Sequence, residues 1–382
     1  MGFQKKFCWT ITIQPNILLL KTCGFWPKDY EAFKLDFYTA RTVILIIIFF
    51  PVSLISQATN LFFVLDDLVA LTGNIYLLLT EVMWALKMYY FIKNMSTVKT
   101  LMRMLNHDLF QPRDANQVVL VQPNLDSWKI MYQMFMVTAV GGNLFWAAFP
   151  LFGKANGENG LPFLAWYPYD TSISPFYEIT YIHQILTFAY IGFSHINTDT
   201  FISALNMYIS SQFDILCDNL KNLHFSNNVK ANLVKCIKHH WLILSFAEKT
   251  SQFLKSIILL QFFISVIIMG ITLFQITIVA PFSAEFLFLV SYEMAVVAQI
   301  FIYCWFGNEV EVKSNNVSFA IYGSKWPDFS KEIQKNIWFF MFRSQTPLRL
   351  SSLNVFYLSL ESFMAIVKTS WSYFALLQQV NS

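Results

Sequence analysis

The chain has 382 residues, of which 56% are hydrophobic and only 13% are charged, and its formal net charge is +3. A soluble globular domain carries about 25% charged residues, so this composition excludes a protein whose surface faces water throughout. It predicts a polytopic membrane protein that presents much of its surface to membrane lipid.

Seven stretches of the chain are apolar enough to cross a bilayer, which requires about 20 residues each. In chain order they are residues 40–63, 69–92, 130–152, 178–204, 256–280, 284–306 and 354–379. The sequence therefore predicts an all-α membrane protein with seven transmembrane helices.

Lysine and arginine are divided unequally between the two ends of these spans. Of the 26 such residues, Lys87 and Lys368 lie within spans, and Lys154 alone lies in a loop that follows an odd-numbered span. Cytoplasmic loops collect cationic residues, so we expect a cytoplasmic N-terminus and an extracellular C-terminus. A seven-helix G-protein-coupled receptor has the opposite orientation.

The segments outside the spans have distinct expected roles. Residues 1–39 form a cytoplasmic segment, and residues 205–255 read as a helical cytoplasmic anchor that turns near 224–228. Residues 307–353 add a second part of the anchor, with a turn at 326–328 and a helix over about 329–344. The outer loop 153–177 is rich in aromatic residues, which fits either a lid over a cavity or an ordered loop at the membrane interface.

The last span carries small and polar residues along one face, at alternating steps of four and three. Its candidate pore residues are Thr369, Ser372, Leu376 and Gln379. Such a stripe fits close helix packing or the lining of a water-filled pore, and the amide of Gln379 favours the pore because it needs polar partners. Lys368 must face protein or water, since a lipid-exposed charge at mid-membrane is costly.

Other ionisable residues lie in or near spans, and such residues are functional candidates by default. They are Glu81, Lys87, Glu285, Glu293 and Glu361. Lys87 and Glu285 could instead extend to the membrane surface, whereas Glu293 and Glu361 are expected in an internal polar network.

Two histidines near a cysteine raise the possibility of a metal site. Cys236 and His240 are one helical turn apart, but no second ligand pair accompanies them, so we predict neither a metal site nor a cofactor. The sequence also contains no nucleotide-binding loop and no nucleophile motif. We therefore expect no enzyme activity and no nucleic-acid partner.

Aromatic residues and methionines recur in the outer halves of spans two to six, with a few hydrogen-bonding groups among them. Core packing explains most such residues, and the alternative is an apolar pocket for a small organic ligand. The candidate lining residues are Tyr76, Thr80, Met83, Gly142, Asn143, Trp146, Tyr181, Gln184, Phe188, Phe274 and Tyr292. The pocket contains no clear acid or base, which favours a neutral ligand.

Three segments resemble the insect odorant receptor family. The stretch "TPLRLSSLNVFYLSLESFMAIVKTSWSYFALLQQV" (346–380) resembles the C-terminal signature of that family. "KCIKHHWLILSFAEKTSQFLKSIILLQFF" (235–263) is similar to its segment before span five, and "LPFLAWYPYDTSISPFYEITYIHQ" (161–184) to its second outer loop.

The resemblance implies an odorant-gated, non-selective cation channel that assembles as a heterotetramer with a shared co-receptor. It implies a location in the plasma membrane of olfactory sensory neuron dendrites. It also makes Leu376 the hydrophobic gate, where the family often has a smaller valine, and Gln379 the pore glutamine. Gly142 and Trp146 match the family's pocket residues in span three.

The chain lacks the long cytoplasmic insertion before span five that marks the co-receptor, so the resemblance implies a ligand-tuning subunit. The alternatives are a gustatory-type channel of the same superfamily and a transporter of small organic solutes. The tyrosine-led signature of the first is not clearly present, and no inverted repeat supports the second.

Overall fold

A computed structural model of the chain describes residues 6–27, 36–154, 160–225, 228–352 and 356–381. These residues form ten α-helices, four short 3-10 helices and one small antiparallel hairpin. The helices are α1 (Gln14–Cys23), α2 (Phe37–Phe63), α3 (Leu68–Lys93), α4 (Met95–Met104), α5 (Ala115–Lys154), α6 (Phe176–Lys221), α7 (Val229–Ile278), α8 (Ala284–Tyr322), α9 (Lys331–Ser344) and α10 (Leu360–Asn381). The hairpin strands are β1 (Ser351–Ser352) and β2 (Phe356–Tyr357).

Each of the seven predicted spans falls largely or wholly on a long helix: α2, α3, α5, α6, α7, α8 and α10. Among the described helices, α2, α3, α7 and α8 are long and apolar enough to cross a membrane by composition alone. Helix α7 has 50 residues and is about 75 Å long at the usual rise of 1.5 Å per residue. It is more than twice as long as the bilayer core is thick, so a large part of it extends beyond the membrane.

The long helices extend beyond the predicted spans at one end of the bundle, which we call the inner end. Helix α6 continues to Lys221 and α7 begins at Val229, on either side of the turn expected near 224–228, of which residues 226 and 227 lie outside the described part of the chain. Helix α5 begins at Ala115 and α8 continues to Tyr322, well beyond the predicted limits of spans three and six. Helices α1 and α4 and the hairpin were not predicted, and α10 begins after the hairpin, six residues later than expected.

Short polar residues fix where several helices begin. The Asp36 carboxylate accepts a hydrogen bond from the backbone N–H of Thr39 at 2.8 Å, at the start of α2. Asp67 accepts from Val69 N–H at 2.9 Å at the start of α3. These caps satisfy backbone donors that have no partner within the helix, so Asp67, four residues after the end of α2, fixes the start of α3.

Helix α6 lies at the centre of the bundle. Every residue from 197 to 213 is buried, and α6 packs against α1, α2, α3, α5, α7 and α8. A helix that is buried on all sides belongs to the interior of a large helical protein. Helix α2 lies at the periphery and exposes a row of large aliphatic side chains, as a lipid-facing helix does: Ile44, Ile47, Ile48, Val52 and Ile55.

A buried ion pair joins the central helix to its neighbours. Lys87 Nζ on α3 lies 2.5 Å from Asp199 Oδ1 on α6, and both side chains are at most 1% exposed. Lys87 also donates to His195 Nε2 at 2.6 Å. Gln299 and Tyr303 on α8 donate hydrogen bonds to the same carboxylate. Lys87 therefore does not extend to the membrane surface but ties three helices together.

Candidate ligand pocket and pore helix

An aromatic cluster forms where α5, α6 and α8 meet. The ring of Trp146 on α5 stacks on Phe188 of α6, with ring centroids 4.2 Å apart. It also packs against Phe288 of α8, at a centroid distance of 4.9 Å, and against Phe163 of the outer loop at 5.7 Å. Three helices and a loop thus contribute apolar surface to one place, as a site for a small organic ligand requires.

The cluster continues to α3 through Tyr292 of α8. The Tyr292 ring lies 6.2 Å from that of Phe288 and 5.1 Å from that of Tyr76, and its hydroxyl forms a hydrogen bond with Thr80. The structure therefore joins predicted residues of four helices. Phe288, which links Tyr292 to Trp146, was not among the predicted pocket residues. It lies one helical turn before Tyr292 and therefore on the same face of α8.

The outer loop is packed onto this cluster. Gln184, which is fully buried, accepts a hydrogen bond from Phe163 N–H and donates to Phe163 C=O, both at 3.2 Å. Tyr181 donates from its hydroxyl to the carbonyl of Ala147. The backbone N–H of Trp166 donates to Ser56 C=O at 3.0 Å. Of the two interpretations of this loop, these contacts favour the lid, because Gln184 holds Phe163 against the ring of Trp146.

The other predicted pocket residues lie in different surroundings. A Cβ placed at Gly142 would meet no atom of a neighbouring element within 4 Å among the described residues, so the space beside it is open there. Asn143 Nδ2 donates to Ala139 C=O at 2.7 Å, while its Oδ1 is buried and has no partner in the described chain. Met83 and Phe274 are buried, but no ring contact within the described ranges joins Phe274 to the Trp146 cluster.

Helix α10 packs on α7 and α8 through a narrow buried seam. Ile366, Ser370 and Phe374, which follow one another at intervals of four residues, are at most 8% exposed. A Cβ added at Gly270 of α7 would lie 2.8 Å from Tyr373 Cβ. This distance is shorter than real side chains tolerate, so α7 and α10 approach so closely only because residue 270 is glycine.

The opposite face of α10 is exposed in the single chain. Thr369, Ser372, Leu376 and Gln379 all lie on it, and Leu376 is 58% exposed. The hydroxyls of Thr369 and Ser372 donate to carbonyls of their own helix, at 2.8 and 3.2 Å. The two hydroxyls thus bond within α10, on a face that is exposed in the single chain.

Two charged residues accompany this exposed stripe. Lys368 is exposed and lies one helical turn before Ser372, so both face the same side. Glu361 is also exposed in the single chain, whereas we expected it in an internal polar network. Glu293 is buried and accepts a hydrogen bond from Thr272, as that expectation required.

The histidine pair on α7 lies on the inner side of the predicted span 256–280. His239 Nε2 lies 3.0 Å from Gln212 Oε1, and burial lowers the pKa of this histidine to about 3. Burial also lowers the pKa of His240 to about 4 and raises that of the Cys236 thiol to about 11. The imidazoles are therefore neutral at physiological pH, and the ring of His240 packs against that of Phe340 of α9, with ring centroids 5.3 Å apart.

These features define the chain first as a seven-helix membrane protein with an aromatic cluster beneath an outer loop and a last helix that exposes a polar face. Residues 67–371 match the family model described as 7tm Odorant receptor, which covers well over half of the chain. The chain therefore belongs to the insect odorant receptor family.

Individual relatives agree with this assignment. The chain is 26% identical to Odorant receptor Or1 of Anopheles gambiae, over 96% of this chain and 95% of the relative. It is 26% identical to Odorant receptor 46a, isoform A, of Drosophila melanogaster, over 81% of this chain and 82% of the relative. The fold is similar to that of the insect olfactory receptor OR5 from Machilis hrabei in complex with eugenol, with a TM-score of 0.86, 20% identity and coverage of 96% and 97%.

Proposed function

We propose that this chain is the odorant-tuning subunit of a heteromeric, odorant-gated, non-selective cation channel. It assembles with an odorant co-receptor in the plasma membrane of olfactory sensory neuron dendrites. A small neutral volatile binds in the outer half of the bundle, near Trp146 and Tyr292, and opens a pore that α10 lines. The observation that carries the proposal is the exposed polar face of α10.

The pore assignment follows from the cost of that face in lipid. Lys368, Thr369 and Ser372 lie within the predicted seventh span and are exposed in the single chain, and a charged side chain in hydrocarbon is strongly unfavourable. A ring of subunits that turns this face toward a central axis gives it water instead. Leu376 then forms a hydrophobic constriction, which closes a pore by excluding water.

The pocket and the pore helix are connected through α7. Gln275 of α7 donates to Val69 C=O of α3 at 2.7 Å and forms a hydrogen bond with Thr72 at 2.5 Å. Five residues earlier, Gly270 brings α7 against α10. A ligand that binds more tightly to a spread arrangement of the outer helix ends shifts the population toward that arrangement. The close contact at Gly270 carries the displacement to α10.

The orientation and the subunit type rest on the inner end. The cationic residues concentrate there, which favours a cytoplasmic N-terminus and an extracellular C-terminus. Helices α6 and α7 are separated only by residues 222–228, so this connection has no long insertion of the kind that marks a co-receptor. Both observations support a tuning subunit with the outer loop exposed to odorants.

The class of ligand follows from the lining of the aromatic cluster. Trp146, Phe188 and Phe288 offer ring faces, and among the described residues no Lys or Arg lies over these three rings. Apolar sites of this kind suit uncharged organic molecules. The complex of the similar Machilis hrabei receptor with eugenol supports a small organic ligand for this chain as well.

A matched pair of cysteine variants tests the pore assignment. Ser372 lies on the exposed face, whereas Ser370, two residues away, is 1% exposed and faces the seam with α7. In cells that express this chain with a co-receptor, a membrane-impermeant thiol reagent should reduce odorant-evoked current through Ser372→Cys. Ser370→Cys and the unchanged chain should be insensitive. Equal insensitivity of the two variants would remove Ser372 from the ion path.

A further inference from the structure

A polar cluster lies between α2 and α3, beside the aromatic cluster but separate from it. Glu81 Oε1 on α3 accepts a hydrogen bond from Ser53 Oγ of α2 at 2.7 Å and another from Gln57 Nε2 at 2.6 Å. Gln57 Nε2 also donates to Ser53 Oγ, at 3.0 Å. One oxygen of the carboxyl group is therefore well satisfied by two donors.

The other oxygens of this cluster have no donor. Glu81 Oε2 and Gln57 Oε1 are both buried and lack a hydrogen-bond partner among the described residues. Glu81 is 8% exposed and Gln57 is 1% exposed. Buried polar groups in native proteins are nearly always paired, and both unpaired atoms here are acceptors. The missing component is thus a hydrogen-bond donor.

The position of these acceptors connects them with the proposed pocket. Thr80, the residue before Glu81, forms a hydrogen bond with Tyr292 of the aromatic cluster. On α2, Ser56 lies one turn after Ser53 and accepts a hydrogen bond from Trp166 of the outer loop. Residues that adjoin the acceptors on α3 and α2 thus contact both the aromatic cluster and the segment that covers it.

We propose that Glu81 and Gln57 form an acceptor site for the hydroxyl group of the odorant, so that the preferred ligands are alcohols or phenols. This inference rests on the proposed function and narrows its ligand class. The hydroxyl donates to Glu81 Oε2 or Gln57 Oε1, and the apolar part of the ligand extends toward Trp146. An ether or ester of the same shape brings no donor and leaves the acceptors unpaired.

The size of the preference follows from the kind of hydrogen bond involved. A buried acceptor that loses its donor forfeits the hydrogen bond and also bears the cost of its own desolvation. An alcohol is therefore expected to be about 10- to 100-fold more potent than its methyl ether.

The test compares alcohols with their methyl ethers. Cells that express the chain with a co-receptor are exposed to 1-octanol, 2-phenylethanol and other straight-chain and aromatic alcohols, each paired with its methyl ether, within a broad panel of neutral volatiles. In the unchanged receptor the alcohols should be the more potent members of the pairs. In Glu81→Gln, an amide with a single acceptor oxygen replaces the carboxylate, so the alcohol should lose about 10-fold or more in potency while the ether changes little.

Two further variants keep the result interpretable. Glu285→Gln removes an exposed acid at the outer end of α8 and should leave both potencies unchanged. Gln57→Met removes one acceptor and retains Glu81, so a smaller loss for alcohols is expected from it even where Glu81→Gln fails to reach the cell surface.

The possible failures are distinguishable. The acceptor site would be overturned if alcohols and ethers were equally potent, or if the Glu81→Gln receptor kept the same preference for alcohols. Either result is expected if a buried water, rather than the ligand, donates to these acceptors. The channel proposal would still stand. Silence to the whole panel, with both chains at the cell surface, would instead count against the proposed function.

Discussion

The buried pair of Lys87 and Asp199 should be essential for the stability of the bundle. Replacement of Lys87 by methionine keeps the length of the side chain but leaves the Asp199 carboxylate, which is 1% exposed, without its cation. The loss of one partner of a buried ion pair costs about 3–5 kcal/mol. Gln299 and Tyr303 still donate to the carboxylate, which favours the lower end of that range.

Thermal unfolding of the purified, detergent-solubilised protein measures this effect. For a chain of this length, we expect Lys87→Met to lower the melting temperature by roughly 5 °C and to reduce surface expression. Lys230→Met is the matched control, because Lys230 pairs with Glu332 at the surface, where both side chains are at least 60% exposed. The double variant Lys87→Met with Asp199→Asn should recover part of the loss. A Lys87→Met protein as stable as Lys230→Met would refute the role assigned to the pair.

Two further predictions concern α10. Gly270→Ala places a Cβ 2.8 Å from Tyr373 Cβ, so it should shift α10 and impair gating. Gly73→Ala is the control and should be tolerated, because its Cβ would lie 3.6 Å from Gln275. The odorant-evoked current density of each variant, normalised to its surface expression, measures the effect. Lys368→Gln removes a positive charge from the exposed stripe and should raise calcium permeability relative to sodium roughly twofold, as expected for one charge about 8 Å from the ion in water. Reversal potentials in calcium and sodium solutions measure this change, and an unchanged ratio would place Lys368 outside the ion path.

The membrane-crossing helices could be predicted from the sequence because the bilayer imposes a strong requirement. Each must offer about 20 apolar residues and satisfy its own backbone, and α2 and α3 begin within a few residues of the predicted limits. The inner extensions of α5 and α8 are more polar and leave no hydropathy signal. Their helical state depends on packing between the long helices, which a single sequence does not reveal.

The candidate site could be predicted only in part, for a related reason. The exposed face of α10 follows from helical spacing alone, and Leu376 and Ser372 lie on it as predicted. Contacts between distant segments do not follow from spacing. Phe163 reaches Trp146 from a loop, and Asp199 becomes the partner of Lys87 only when α3 and α6 pack together.

Whole-cell current tests the central claim most directly. Cells that express this chain with an insect co-receptor, with the co-receptor alone, or with this chain alone are exposed to a panel of neutral volatiles. The account predicts a cation current that requires both subunits and whose ion permeability changes in Gln379→Ala. An odorant response that survives without the co-receptor and depends on G-protein signalling would contradict it.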